Sequence, residues 1–218
     1  MFNVMLFKNS FGQLAHGALV SLEVTLCALV IGLIGGTLLA IVCVYGNNLM
    51  RAFSHLYLTF FRGTPMLVQL MAIFFILPSC GIVISAFWSA VIAIGLNSIA
   101  YVSQIIRTGI QAVSKGQQEA AQTLGFSSWQ ITRLIVLPQA FRTVLPTLGN
   151  ELITLIKDSS LASVIGVAEL THEGSIIMNR TYDALTAYAG VALVYLVMTS
   201  VAALIVHAIE KRVSYAQH

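Results

Sequence analysis

Charge is what this sequence has least of. Asp, Glu, Lys and Arg make up 9% of its 218 residues, against 58% hydrophobic residues. A soluble domain carries roughly 25% charged residues, so a wholly water-facing surface is excluded. The apolar residues fall in runs close to the ~20 that cross a bilayer core of about 30 Å. The chain therefore reads as one polytopic membrane domain over residues 1–218. Cysteine is nearly absent, and Cys27, Cys43 and Cys80 share no CxxC spacing, which excludes a disulfide framework or a thiol metal site. Cys27 and Cys43 lie in an apolar run, where a free thiol behaves as a small hydrophobe.

Two further absences bear on function. No GxxxxGK[ST] phosphate loop occurs, so any nucleotide-derived energy must come from another protein. There is no HExxH, and His16, His55, His172, His207 and His218 all fall at or outside the ends of the apolar runs. A nucleophile and base converging at membrane depth are not available, so the chain is not expected to be an enzyme. His172 beside Glu173 reads as a solvated loop pair, with no metal site expected.

The apolar runs place five spans, at about 17–45, 58–77, 84–106, 147–166 and 184–209. The first lacks a basic leader and a small-residue cleavage site, so it is expected to serve as an uncleaved targeting signal. Gly63-Thr64-Pro65 lies near the start of the second; proline is tolerated in a first helical turn. The tighter helix is then expected to begin at Pro65, after an interfacial segment. Orientation follows from basic residues, which concentrate on the cytoplasmic side. With the N-terminus outside, that side receives Arg51, Arg62, Arg107, Lys115, Arg133, Arg142, Lys211 and Arg212. The outside receives only Lys8 and Arg180. The reading is N-terminus out, C-terminus cytoplasmic, with a polar cytoplasmic loop at 107–146. Gly32, Gly36 and Ala40 form a small-residue face on the first span, suited to close helix contact within the chain or between subunits.

Inside the loop, the good helix formers of Gly116–Ala121 predict a short helix, stopped at Gly125 by a C-terminal glycine. Ser127 with Gln130 fits a capping box and starts a second helix from Ser128 to about Val136, which Pro138 is expected to end. Ala120, Ala121 and Leu124, with Phe126 and Trp129, give this knuckle an apolar face suited either to a partner's groove or to the inner leaflet.

Charged residues in a span usually face protein or a water-filled path. The fourth span carries Glu151, Lys157 and Asp158, with Glu151, Thr154 and Asp158 on one helical face. In the third span Asn97, Tyr101 and Gln104 form a second polar stripe. Together the stripes suggest a substrate pathway of Asn97, Gln104, Glu151, Lys157 and Asp158. Lys157 with Asp158 or Glu151 can supply the two charges that a zwitterion needs, or can instead form a buried pair that sets helix register. Glu23, shallow in the first span, is expected at the rim or an interface.

Glu119-Ala120-Ala121, then Gly125, then Ile135, Leu137 and Pro138 match the pattern EAA-x3-G-x9-I-x-LP at every fixed position. In this the chain resembles the membrane subunits of binding-protein-dependent ABC importers. Phe61-Arg62-Gly63-Thr64-Pro65, Leu96-Asn97-Ser98, Ala100-Tyr101 and Lys157-Asp158-Ser159-Ser160-Leu161 are similar to the polar amino-acid permeases of that group. The likeness runs from about Gly17 to Arg212. It implies an all-α, five-helix, MetI-like permease core in a bacterial inner membrane. It also implies a second permease subunit (identical or homologous), two ATPase subunits that bind ATP and Mg, and an external amino-acid-binding protein. The knuckle would then be the coupling helix, with Glu119, Ala120, Ala121, Gly125, Leu137 and Pro138 at the ATPase contact. The expected cargo is a polar or charged L-amino acid, the alternative being another small solute. Gln104 stands where many relatives have glutamate, and Thr108 replaces a frequent glycine, which leaves the particular amino acid open.

Overall fold

A computed structural model describes residues 2–215. Among the described residues, nine α-helices with short π and 3-10 segments account for nearly all the backbone; His218 lies outside them. The first helix, α1 (Val4–Tyr45), has 42 residues. At 1.5 Å per residue it is about 63 Å long, so it projects well beyond the apolar run expected at 17–45. Asn3 caps its start, its side chain accepting from the Leu6 N–H at 3.0 Å.

Helix α1 lies along α4 (Ala86–Ala112), and the small residues explain how closely. A Cβ at Gly36 would sit 2.7 Å from Val102 Cγ1, and one at Gly32 would overlap Ser98. The small-residue face therefore packs within the chain. The opposite face of α1 carries exposed Leu19, Leu26, Val30, Ile34 and Leu38, as lipid-facing residues require. Val24, Ala28, Ala90, Ala93, Ile94 and Leu155 form one buried cluster at the centre of the helices.

Between α1 and α4 the chain makes α2 (Asn48–Gly63) and α3 (Met66–Met71), then a π segment and a 3-10 turn ending at Cys80. The two halves bend by 104°. The cause is local: Thr64 is held extended (φ −116°, ψ 146°) by the proline after it, and Pro65 has no N–H to continue the ladder.

Helices α5 (Lys115–Thr123) and α6 (Ser128–Ile131) form the expected knuckle. Gly125 takes φ +84°, while Phe126 N–H donates to Ala121 O and Gly125 N–H to Gln122 O, closing a Schellman end. The Ser127–Gln130 capping box is complete. Ala121, Ile131, Val136 and Ala140 share a buried cluster with Ala40, Ile106 and Ile110, which pins the knuckle to the helix ends.

Pro138 does not end the second helix. A π segment, Thr132–Val136, runs straight into α7 (Leu137–Asp158), with Pro138 in its first turn. The wider π turn breaks the i→i−4 register just where proline lacks a donor, so the helix passes without a stop. Helix α7 therefore begins within the polar stretch of 107–146 and is continuous past Pro146.

After a 3-10 stretch (Ser159–Ile165) the expected external loop is largely helix, α8 (Leu170–Thr181), followed by α9 (Ala184–Tyr215). Glu173 is not a solvated partner of His172: it is buried and accepts a hydrogen bond from Gln13 Nε2. Glu169 is fully buried at the start of α8. It accepts from the His172 N–H and Tyr195 Oη, both at 2.8 Å, and from Ser21 Oγ at 3.2 Å. Its carboxylate thus ties α1, α8 and α9 together. Helices α1, α4 and α9 are long and apolar enough to cross a membrane, and the bent α2–α3 pair makes a fourth candidate.

Candidate functional site

The bend at Gly63–Pro65 opens backbone carbonyls that hydrocarbon cannot satisfy, and two amide side chains close them. Gln69 Nε2 donates to Phe61 O at 3.0 Å, Thr64 O at 3.1 Å and Thr64 Oγ1 at 2.8 Å. Asn97 Nδ2, from α4, donates to Phe61 O at 3.2 Å and Gln69 Oε1 at 3.0 Å. Asn97 thus holds the bend against α4. Gln69, a buried amide in an apolar run, is the partner that the residue pattern alone did not single out.

Beside this bend lies a cup of about 330 Å³, lined by Thr64, Pro65 and Met66, by Asn97 and Tyr101 of α4, and by Glu151, Thr154 and Asp158 of α7. The i, i+3, i+7 face of α7 therefore points into the same space as the polar stripe of α4. Ser98 Oγ donates to Glu151 Oε1 at 3.0 Å, orienting one carboxylate toward α4. Neither Glu151 nor Asp158 has a basic side chain within ion-pair distance among the described residues. Two carboxylates without an ion-pair partner make the cup suited to a group that carries positive charge and several N–H donors.

The remaining expected pathway residues fall elsewhere. Lys157 is exposed, does not line the cup and forms no ion pair with Asp158 or Glu151 within 4.0 Å among the described residues. Gln104 lies about 4.5 Å further along α4 than Tyr101 and lines a separate notch. Glu23 is exposed on α1.

At the other end of α7 the knuckle presents Glu119 and Ala120 with exposed Leu124 (77%), Trp129 (58%) and Phe126 (38%), while Ala121 turns inward. Two large apolar side chains more than half exposed on a polar segment mark a contact surface. The knuckle bearing them is anchored by Ala121 of α5 and Ile131 of α6 in the buried cluster already described.

A helical bundle with a broken span, a polar cup at its bend and a protruding knuckle is the architecture of a transport subunit. The chain belongs to the family of binding-protein-dependent transport system inner membrane components, whose model matches residues 28–215. It is a transport subunit and not itself an enzyme. Among curated proteins, it is 39% identical over 215 residues to the "probable amino-acid ABC transporter permease protein" of Bacillus subtilis strain 168, covering 99% of this chain and 95% of the relative. The glutamine transport system permease protein of Escherichia coli K12 is 38% identical over 201 residues, covering 91% and 92%. Among solved structures, an amino acid ABC transporter crystallised with histidines superposes with a TM-score of 0.88 at 36% identity, covering 97% of this chain and 99% of that one.

Proposed function

We propose that this chain is the permease subunit of an ABC importer for polar or charged L-amino acids, and that the cup beside the broken span receives the substrate's ammonium group. The observation that carries the cargo assignment is the placement of Glu151 and Asp158, without basic partners, on one wall of a 330 Å³ space walled opposite by Asn97 and Tyr101. The names of the relatives and of the solved structure, all of them amino-acid transporters, support the same cargo.

In this reading five segments cross the inner membrane of a bacterial cell: α1, the α2–α3 broken pair, α4, α7 and α9. Helix α7, too charged to qualify by apolarity, crosses with Glu151 and Asp158 turned into the cup. The N-terminus is outside and the C-terminus cytoplasmic, with α5 and α6 on the cytoplasmic side. A second permease subunit, the same or homologous, completes the pathway, and an external amino-acid-binding protein delivers the cargo. Two ATPase subunits bind ATP and Mg and dock on the knuckle. Glu119, Ala120, Ala121, Gly125, Leu137 and Pro138 shape and position that docking surface. Closure of the ATPases draws the paired knuckles together and alternates access to the cup.

Glu151→Gln and Asp158→Asn, assayed with the partner ATPase and binding protein in proteoliposomes, test the cup. Loss of one ionic contact worth ~1.4 kcal/mol lowers occupancy about tenfold. Uptake is expected to fall by at least that factor, with ATP hydrolysis by the assembled complex retained. Undiminished uptake in both variants would show that the carboxylates only pack the helices.

A further inference from the structure

One turn beyond the cup along α4 lies a second space of about 410 Å³, lined by His55, Thr59, Arg62, Gly63, Gln104 and Arg107. Its character is opposite. Two guanidinium groups line it, and neither has a carboxylate within 4.0 Å among the described residues. Arg62 is exposed and Arg107 half-buried, so both present charge to the open space.

The two spaces share their walls. The α4 stripe that gives Asn97 and Tyr101 to the cup gives Gln104 and Arg107 to the notch, and the bend that gives Thr64 to the cup gives Arg62 and Gly63 to the notch. The boundary between them is a cation–π contact, with Arg62 Cζ 5.9 Å from the centre of the Tyr101 ring. Asn97 and Arg107 are ten residues apart, about 15 Å along the helix.

We propose that the notch is a second station on the transport path, which takes the α-carboxylate of the amino acid after its ammonium group leaves the cup. The proposal rests on the reading of the cup as the ammonium site. In a free amino acid the ammonium and carboxylate groups sit on one carbon, whereas Ser98, which holds Glu151, and Arg107 lie nine residues apart, about 13.5 Å along α4, too far for one molecule to bridge the two helix positions. The charges are therefore met in sequence, acidic then basic. Arginine forks match a carboxylate bidentately. Displacement of Arg62 from the Tyr101 face to that carboxylate joins the two spaces, so the stack is a gate that cargo itself opens. The same chemistry would suit a lipid phosphate, but the notch continues the helical face that lines the cup, which favours cargo.

The test is equilibrium binding to the purified permease–ATPase complex in nanodiscs, with L-glutamine and its α-carboxamide as probes. The amide keeps the ammonium group and side chain and lacks the anionic carboxylate. The wild-type complex is expected to bind the acid about tenfold more tightly than the amide. Arg62→Gln and Arg107→Gln bring that ratio to about one by weakening the acid alone, and Arg62→Lys restores part of it. Ligand-free ATPase activity identifies any variant that has failed to assemble, and Arg107→Gln, outside the aromatic stack, serves where Arg62→Gln does. Glu151→Gln weakens the amide, which only the cup can hold, so an amide affinity unchanged in that variant would remove the cup reading separately. A wild-type ratio that survives in both arginine variants overturns the proposal. So does an unchanged ratio accompanied by lost stabilisation from anionic phospholipid, which would make the notch a lipid-phosphate site.

Discussion

Glu169 is a carboxylate with no exposed surface, in the segment that joins α7 to α9. Burial pushes its carboxyl up from the ordinary value of 4.5. Hydrogen bonds from backbone N–H groups, Tyr195 and Ser21 pull the other way without cancelling that push. A raised folded-state value means that the folded protein holds this proton more tightly than the unfolded chain does. The linked stability is fully present below the unfolded value and is lost as pH rises through the folded one. The melting temperature of the purified complex is therefore expected to decline across the interval above about pH 4.5, and Glu169→Gln to flatten that interval. A decline of equal slope in the variant would place the titrating group elsewhere. The same scale shows what the bare pattern of residues conveys. Helical spacing was enough to put Glu151, Thr154 and Asp158 on one face, and the cup follows. Lys157 is their sequence neighbour, but a single step turns a helix by about 100°, and its side chain lies outside the cup. The bonds of Gln69 to Phe61 and Thr64, and of Asn97 across to Phe61, depend on how far the chain bends, which spacing does not encode.

At the scale of elements, the knuckle was readable because its determinants are local. A glycine stop and a capping box each act over four to six residues, and both form as expected. Pro138 misled because the π segment before it has no periodic signature, only an altered hydrogen-bond register. Gly125 is the sharpest probe of the knuckle. Its φ of +84° disfavours any side chain, while nothing lies within 4 Å of a Cβ there, so a substitution strains the backbone without a clash. A left-handed non-glycine residue costs about 1–2 kcal/mol, and a factor of 5–30 in an equilibrium follows from such a loss. Gly125→Val is expected to weaken ATPase co-purification and uptake by a factor in that range, Gly125→Ala by less. Unchanged association in the valine variant would separate the turn from coupling.

For the whole molecule, the division of apolar and basic residues makes an argument that no single contact can. The proposed topology puts the turn before α4 on the outside and the knuckle on the cytoplasmic side, where ATP is available. The protein carries its own reporters of this arrangement. Cys80 is exposed in the turn that ends the broken pair, Cys43 is buried near the far end of α1, and Cys27 is intermediate. A membrane-impermeant maleimide added to spheroplasts is expected to label the protein once, at Cys80, and Cys80→Ser to abolish that labelling. Permeabilising the membrane adds nothing at Cys43, because the barrier there is packing against Leu58 and Ala100 and not the bilayer. If Cys80 reacted only after permeabilisation, the orientation would be reversed. The knuckle would then face a compartment without ATP, and the coupling assignment would fall with the topology, whatever the cup binds.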